Sequence, residues 1–270
     1  MDSAVTMGAA ASKKCREERC GRAVSASVGG EAVVLADRDS EKAKRLAEKL
    51  GARVETAEQA AKGCDFLFLG VKPQMMAEML AGIRGALAEN SRLVLVSMAA
   101  GLSMAEIRRL AGGEYPVIRI MPNTPASIGQ GMILYDCTEN VTDAQEAQFL
   151  KAMERAGRLD RLPEKLIDAG SAVSGCGPAF AFLMIEALAD GGVECGLPRD
   201  KALTYAAQML IGSAALMLTA GEHPGALKDA VCSPGGTTIA GVHALESHGF
   251  RAAAMDAVCA AYRRTKELAK

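Results

Sequence analysis

Two glycines, a proline and three hydroxyl side chains lie together in one short stretch near the carboxyl end of the chain. The stretch reads Ser-Pro-Gly-Gly-Thr-Thr-Ile-Ala-Gly and covers residues 233–241. A Gly-Gly turn that leads into a helix leaves several backbone N–H groups without intrahelical partners. Such groups bind anions, and a carboxylate suits them. The residues expected to form this anion site are Ser233, Gly235, Gly236, Thr237 and Thr238.

A second group of polar residues follows a short apolar segment at residues 31–36, which is typical of a β-strand. In a dinucleotide-binding fold, the residues at this strand end meet the adenosine ribose. Asp37 would accept a hydrogen bond from the 2′-hydroxyl of NADH, whereas Arg38 would hold the 2′-phosphate of NADPH. The two residues favour opposite cofactors, so NADPH or NADH stays open, as does a simple solvated charge pair.

Two further apolar segments end in residues suited to a cofactor. Lys72 follows residues 66–69, and Pro73 prevents direct continuation into a helix. Ligands of open parallel sheets bind at the carboxyl ends of strands, so Lys72 is expected to contact a phosphate or a ribose. Ala99 and Ala100 follow residues 94–97, and small residues there let a flat ring approach the backbone.

Asn123 belongs to a turn between Pro122 and Pro125, after the apolar segment at residues 117–121. Two prolines make such a turn rigid, and the turn then presents the polar groups of Asn123 and Thr124. We expect Asn123 to lie at the same sheet edge as the residues above, with an ordinary structural turn as the alternative.

The elements that position these residues alternate between strands and helices as far as residue 162. Strands are expected at 31–36, 65–70, 92–97, 117–121 and 132–135, and helices at 40–50, 75–87, 103–110 and 142–156. Continuous apolar strands separated by helices predict a Rossmann-like, doubly wound parallel sheet covered on both faces.

The pattern changes after Pro163, where long Ala-, Leu- and Met-rich helices dominate. They are expected at 167–191, 198–220, 225–231, 237–247 and 252–270. Because these helices are apolar over much of their circumference, they favour burial against another subunit. The predicted domains are therefore a dinucleotide-binding domain at 1–163, with an atypical segment at 1–30, and an all-α domain at 164–270 for substrate binding and dimerisation.

Composition narrows the class of protein. The chain is 50% hydrophobic and 23% charged with a net charge of −1, which indicates a globular protein and disfavours nucleic acid as a partner. No apolar run approaches the length needed to cross a bilayer, so we expect no membrane partner, and the absence of a secretory signal predicts a cytoplasmic location. Eight cysteines without a C-x-x-C pair and three histidines disfavour a metal site.

Several motifs together resemble one enzyme family, the pyrroline-5-carboxylate reductases. The matching segments are Val71–Pro73, Met121–Pro125, Ser174–Phe180, Ala187–Gly192, Leu227–Gly241 and Leu245–Arg251. The likeness extends from about Glu31 to Lys270, and residues 233–241 are its most specific part.

The resemblance implies a Rossmann domain followed by a helical dimerisation domain, and reduction of a cyclic imino acid to proline with NADPH or NADH. It implies that the cofactor contacts Val71, Lys72, Pro73, Ala99 and Ala100, with Asp37, Arg38 and Asn123 as further expected contacts. The substrate carboxylate is expected at residues 233–238. Thr238 is the expected catalytic residue, which positions the substrate or relays a proton from water. The protein is expected to be a homodimer or a higher homo-oligomer.

One departure from the family concerns residues 1–30, which lack a G-x-G-x-x-G turn and show no clear strand. A reading-frame slip in the gene and genuine divergence would both produce this segment, and either would weaken the cradle for the pyrophosphate. One alternative is therefore a cofactor-impaired relative that acts as an oligomeric binding protein. Another is a reductase of the 6-phosphogluconate or 3-hydroxyacid dehydrogenase plan, but its catalytic lysine has no counterpart between Lys165 and Lys201.

Overall fold

A computed structural model describes residues 5–9 and 16–268 of the chain. The chain divides into two compact units. One comprises residues 1–176 together with residues 261–270, and the other comprises residues 177–260.

The first unit is built on a sheet of eight described strands. They are β1 Val5–Ala9, β2 Val33–Asp37, β3 Arg53–Val54, β4 Phe66–Leu69, β5 Val94–Ser97, β6 Val117–Met121, β7 Gly131–Cys137 and β8 Gly157–Arg161. Their order is β3-β2-β1-β4-β5-β6-β7-β8, and every neighbouring pair is parallel except β6 with β7. The predicted Rossmann-like sheet is confirmed.

Helices cover both faces of this sheet. They are α1 Arg16–Val28, α2 Ser40–Leu50, α3 Ala57–Gly63, α4 Met76–Ala88, α5 Met104–Ala111 and α6 Asp143–Met153. Successive strand residues point to opposite faces, so Phe68 joins the core under α6 with Phe149, while Leu67 joins the core under α4 and α5 with Leu80 and Ile107. Burial on both faces explains why the strands are apolar throughout.

The sequence predicts Ser40 and Ser103 as helix caps, and the structure confirms Ser103. Ser103 caps α5 by accepting a hydrogen bond from the Glu106 backbone at 3.1 Å. Helix α2 is capped by Asp39 rather than by Ser40, because the Asp39 carboxylate accepts from the Lys42 backbone N–H at 3.1 Å. Gly51 ends α2 at a φ of 67°, a left-handed conformation that favours glycine.

The expectation that residues 1–30 contain no strand is wrong. Strand β1 lies at the centre of the sheet, where Thr6 is in register with Val34 of β2 and with Leu67 of β4. Five residues suffice, since a central strand gains backbone hydrogen bonds from two neighbours. Residues 16–22 of the charged stretch after it belong to helix α1 instead of a strand. The position of the expected glycine-rich turn, residues 10–15, lies outside the described residues.

Three short elements were not predicted, namely β3, α3 and β8. Strand β8 forms because α6 ends at Met153, three residues before the predicted end, and the chain then runs parallel to β7. Gly157 makes this possible, since it has a φ of 133° and its backbone packs tightly on Gly131, where a Cβ would meet the Gly131 carbonyl oxygen at 2.1 Å.

Helix α7, Glu164–Ser174, packs on the sheet, which places it in the first unit and not beyond the predicted domain boundary at residue 163. Ile167 is fully buried against Met121 and Leu134. The helix comes so close to the sheet that a Cβ on Gly170 would meet Leu134 Cδ1 at 2.5 Å. Close helix-to-strand packing therefore extends the α/β unit to residue 176.

A buried charge network joins β6, α7 and the last turn of the final helix. Arg119 donates to Asp168 at 2.6 Å, and Lys266 donates to the other carboxylate oxygen of Asp168 at 2.8 Å. Burial raises the pKa of the Asp168 carboxyl, but the Lys266 hydrogen bond and the Arg119 charge outweigh it, so the net pKa lies below its ordinary value of 3.8. The network holds residues 261–268 in the first unit.

The second unit is helical. Its helices are α8 Gly177–Glu194, α9 Arg199–Ala220, α10 Pro224–Ala230, α11 Thr237–Ser247 and the first part of α12 Phe250–Leu268. The helix predicted at 167–191 is thus two helices, because the chain breaks at Gly175 and Cys176 and Pro178 can stand only in the first turn of α8.

Large apolar side chains of the second unit are exposed, among them Phe182, Leu183, Ile211 and Leu218. By length and composition, the stretches Glu164–Glu194 and Arg199–Ala220 would be able to cross a membrane, so the expectation that no apolar run approaches that length is wrong. Helices that pack against the helices of another subunit can be as apolar in composition as helices that cross a membrane.

Candidate functional site

A cavity of about 660 Å³ opens at the carboxyl ends of β2 and β4 in the first unit. Its floor is apolar and consists of Ala36, Leu67, Leu69, Val71, Met79 and Ile83. Its rim is polar and includes Asp37, Arg38, Ser40, Thr56, Glu58 and Glu78. An apolar slot with a polar rim at this edge of a doubly wound sheet suits an adenosine group.

Asp37 ends β2, but its carboxylate is occupied. One oxygen accepts from the Asp39 backbone N–H at 3.0 Å, and the other accepts from the Lys42 ammonium at 2.7 Å. The Asp37 side chain is only 2% exposed. Both oxygens therefore have partners within the protein, and their negative charge is balanced by Lys42.

Arg38 lies at the mouth of the cavity and points its guanidinium into solvent. Its side chain is 69% exposed, and one terminal nitrogen lies 3.5 Å from a carboxylate oxygen of Glu78. The other terminal nitrogen lies 4.0 Å from the sulfur of Met75. An exposed pair of this kind is weak, so the guanidinium can turn toward another anion.

Val71, Lys72 and Pro73 follow β4, which is separated from β2 by β1. Val71 is buried and forms part of the cavity wall. Lys72 is exposed and precedes a short helical turn at Pro73–Met75, whose first position is held by the proline. The Lys72 ammonium makes no ion pair with the part of the chain that the structure describes, so it is free to meet an anion.

Ala99 and Ala100 follow β5, one strand further along the same edge. Ala99 is 2% exposed, and its N–H donates to the Ser97 hydroxyl at 3.4 Å. Gly101 turns the chain with a φ of 80°, where a side chain would be strained. The strand end thus presents backbone and methyl groups rather than long side chains.

Asn123 follows β6, but its side chain holds the fold together. The amide oxygen accepts from the Met132 backbone N–H at 3.0 Å, and the amide nitrogen donates to the Ser174 carbonyl at 3.0 Å. The amide therefore links the turn after β6 to β7 and to the end of α7. These two hydrogen bonds give the Asn123 amide a structural role.

The second unit carries the turn at Ser233–Thr238. Gly235 has a φ of 67°, a left-handed conformation that favours glycine, and a Cβ on Gly236 would displace the Ser233 hydroxyl. Gly236 caps α11 without a side-chain hydrogen bond, and Thr237 and Thr238 begin the helix in exposed positions. The first N–H groups of α11 are left for an anion, because no side chain caps them.

The structure brings together the residues predicted at the ends of β2, β4, β5 and β6 along one sheet edge of the first unit. The residues at 233–238 form a separate cluster on the second unit. The sequence analysis missed Lys42, Glu78 and the cavity wall formed by β3 and α3. The five-residue spacing from Asp37 to Lys42 was a usable signal, since it places the lysine in the first turn of the helix that follows β2.

The fold and the cavity define a Rossmann-type protein with a helical carboxyl-terminal unit. Two family models match the chain. One is described as pyrroline-5-carboxylate reductase dimerisation and covers residues 164–268, and the other as NADP oxidoreductase, coenzyme F420-dependent, covering residues 19–101.

Known proteins agree with these matches. The chain is 42% identical to pyrroline-5-carboxylate reductase of Arabidopsis thaliana over 224 residues, 83% of this chain and 80% of the relative. It is 41% identical to the Escherichia coli enzyme over 80% of both chains. The crystal structure of Plasmodium falciparum pyrroline carboxylate reductase with NADP bound matches all of both chains with a TM-score of 0.88 and 26% identity. The chain belongs to the pyrroline-5-carboxylate reductase family.

Proposed function

We propose that the protein reduces 1-pyrroline-5-carboxylate to L-proline with NADPH or NADH, the last step of proline biosynthesis. The observation that carries the proposal is the start of α11, where Gly235 and Gly236 leave backbone N–H groups open for a carboxylate. Membership of the pyrroline-5-carboxylate reductase family supports the same proposal. Family membership also removes the alternative of a 6-phosphogluconate or 3-hydroxyacid dehydrogenase.

The cofactor site is formed by the sheet edge of the first unit. The cavity beside Arg38 and Val71 fits an adenosine, and the exposed Lys72 would neutralise a phosphate or bind a ribose. Ala99 and Ala100 would lie against the nicotinamide, because small residues let a flat ring come close. When bound, the reduced cofactor supplies a hydride to the imine carbon, and the ring nitrogen takes up a proton.

The ribose end of the site favours NADPH. Asp37 is the residue that would accept from the 2′-hydroxyl of NADH, but its carboxylate is buried and its charge is balanced by Lys42. Arg38 is held only by an exposed pair and suits the 2′-phosphate of NADPH. We therefore propose NADPH as the preferred cofactor.

The substrate is held by the turn at residues 233–238. The N–H groups at the start of α11 bind its carboxylate, which gains charge-assisted hydrogen bonds and the favourable end of the helix dipole. The Thr238 hydroxyl adds a hydrogen bond to the carboxylate or to the ring nitrogen. A hydroxyl is a weak acid, so Thr238 orients the substrate or passes on a proton from water.

A reductase assay with the cyclic imino acid, run with NADPH and with NADH, tests this function. The expected result is proline formation coupled to cofactor oxidation, at a higher kcat/KM for NADPH. A titration with NADPH in the absence of substrate distinguishes this function from the remaining alternative, a relative that has lost cofactor binding. A chain that binds no cofactor and makes no proline would be a cofactor-impaired relative, whose role is then oligomeric binding.

The exposed apolar helices of the second unit support a homodimer as the working form. The family model described as pyrroline-5-carboxylate reductase dimerisation matches residues 164–268. In a monomer, large apolar side chains such as Phe182 and Ile211 would stay exposed to water, which is unfavourable. Light scattering at micromolar concentration should give a dimer or a multiple of it, and a stable monomer would contradict the proposal.

We also place the enzyme in the cytoplasm. Cys137, Cys176, Cys195, Cys232 and Cys259 are free thiols, as expected in a reducing compartment. Burial raises the pKa of the Cys137 thiol to about 12, with the Glu146 carboxylate adding to the rise, so this thiol stays protonated and unreactive at neutral pH.

A further inference from the structure

The ion pair between Arg38 and Glu78 lies at the mouth of the adenosine cavity. Arg38 follows β2 and Glu78 belongs to the first turn of α4, so the pair links the segment after β2 to the helix that follows β4. Their side chains are 69% and 77% exposed, and the closest nitrogen and oxygen atoms are 3.5 Å apart. Both residues line the cavity.

Two other carboxylates around this mouth have partners of their own. Asp37 is paired with Lys42 at 2.7 Å, and Glu55 is paired with Arg53 at 3.2 Å. Glu58 lies on the α3 wall of the cavity and makes no ion pair with Arg38. Glu78 is therefore the carboxylate that holds the guanidinium expected to receive a 2′-phosphate.

We propose that Glu78 sets the discrimination between NADPH and NADH. Its carboxylate occupies Arg38 when the site is free and competes with the 2′-phosphate for the same guanidinium. This inference rests on the proposed function, because it requires an NAD(P)H site in the cavity. A phosphate carries nearly two negative charges and Glu78 carries one, so the phosphate displaces the carboxylate from Arg38. Breaking the Arg38–Glu78 pair costs part of the binding energy of NADPH.

The competition limits the affinity for NADPH and leaves NADH unaffected. NADH has only a hydroxyl at the 2′ position, which does not attract Arg38 away from Glu78. Glu78→Gln keeps the size and polarity of the side chain and removes its charge. It should tighten NADPH binding by about three- to tenfold at low salt, as expected for one charge near an exposed phosphate, and by less at high salt.

The test is direct titration of the full-length protein with NADPH and NADH, followed by fluorescence or calorimetry without substrate. Glu89→Gln is the matched control, since Glu89 caps the other end of α4 and pairs with Lys62 at 2.8 Å, away from the cavity. The control should bind both cofactors as the wild type does. Glu78→Gln should bind NADPH more tightly and NADH within twofold of the wild type.

A second variant tests whether Glu78 acts through Arg38. In an Arg38→Ala background there is no guanidinium to release, so Glu78→Gln should have little further effect on NADPH binding. A full gain in that background, an unchanged Kd in the single variant, or weaker NADPH binding would each overturn the proposal. Failure of the wild type to reduce the imino acid would overturn the proposed function instead, and the cofactor titration is independent of that result.

Discussion

The carboxylate of Asp37 accepts a hydrogen bond from the ammonium of Lys42 at 2.7 Å, in a position where the Asp37 side chain is 2% exposed. The acidic residue at the end of β2 is thus neutralised by a lysine of the following helix. An acidic residue at this place normally reads the 2′-hydroxyl of a ribose. Here its charge is balanced internally, and the neighbouring Arg38 is the residue that we propose to face the cofactor.

Lys42→Met should weaken NADPH binding by about tenfold, because the variant leaves an unbalanced carboxylate beside the phosphate site. NADH binding should stay the same or improve, since the freed carboxylate can accept from the 2′-hydroxyl. Cofactor titration measures both. Lys44→Met is the control, as Lys44 lies on the same helix and pairs with Glu41 in solvent. Equal losses for both cofactors would refute the role given to Lys42.

Lys72→Ala should raise the KM for the cofactor and leave the KM for the imino acid nearly unchanged. The exposed ammonium at the end of β4 is expected to bind a cofactor phosphate or ribose, and a charge-assisted hydrogen bond is worth about 1.5–3 kcal/mol. Lys62→Ala serves as control, because Lys62 pairs with Glu89 away from the cavity. A cofactor KM that does not move would remove Lys72 from the site.

Thr238→Ala should lower kcat/KM for the imino acid by about 10- to 150-fold, which corresponds to about 1.5–3 kcal/mol for a hydrogen bond to a charged group. A bond to the carboxylate throughout the reaction places the loss mainly on KM, and a bond to the nitrogen as hydride arrives places it on kcat. Affinity for NADPH should not change. Thr219→Ala is the control, because that hydroxyl only bonds to its own helix at Ala215. Unaltered kcat/KM in Thr238→Ala would locate the substrate elsewhere.

Asp168→Asn should destabilise the protein at pH 7 by about 3–5 kcal/mol, the usual cost of removing one partner from a buried ion pair. The variant leaves the buried Arg119 with the more distant Glu164 at 3.4 Å. Urea unfolding at fixed protein concentration measures the difference. Glu267→Gln is the control on the same helix as Lys266, since its exposed pair with Arg264 should contribute less than about 1 kcal/mol.

The contribution of Asp168 should depend on pH with a defined sign. Its pKa in the folded protein lies below the ordinary value of 3.8, so the unfolded chain binds the proton more readily. The stabilisation is therefore fully present above about pH 5 and is lost as the pH falls through the folded pKa. The difference between wild type and Asp168→Asn should shrink in unfolding series taken from pH 6 toward pH 3. A difference that stays constant over that range would contradict the network described for Asp168.

The core of the α/β unit was predictable because its signals are local. Segments such as Phe66–Leu69 and Val94–Ser97 are apolar throughout, which indicates strands buried on both faces. Ser103 and Thr142 mark helix starts through side-chain oxygens that cap the next backbone N–H groups. The strand ends that carry Asp37 and Lys72 follow from the same pattern, since parallel strands place their carboxyl ends on one edge.

Elements with weak local signals were decided by the tertiary structure. Strand β1 is held by its neighbours β2 and β4, and β8 by β7, so neither needs a pattern of its own. Helix α7 was assigned to the helical domain from its composition, but close packing of Gly170 on Leu134 brings it into the α/β unit. Such contacts join residues far apart in the chain and leave no local pattern.

In the candidate site, too, some features could be predicted from the sequence and others depend on the tertiary structure. The types and spacing of Gly235, Gly236 and Thr238 predicted a glycine turn followed by a helix start, because the φ of Gly235 and the uncapped N–H groups are local properties of the backbone. The partners of charged side chains were not determined locally. Only the folded chain pairs Arg38 with Glu78 across two strand ends, and it uses the amide of Asn123 to hold three segments together. The sequence therefore determined which residues can do chemistry, and the tertiary structure decided which of them remain free to do it, since a buried or paired polar group is already satisfied.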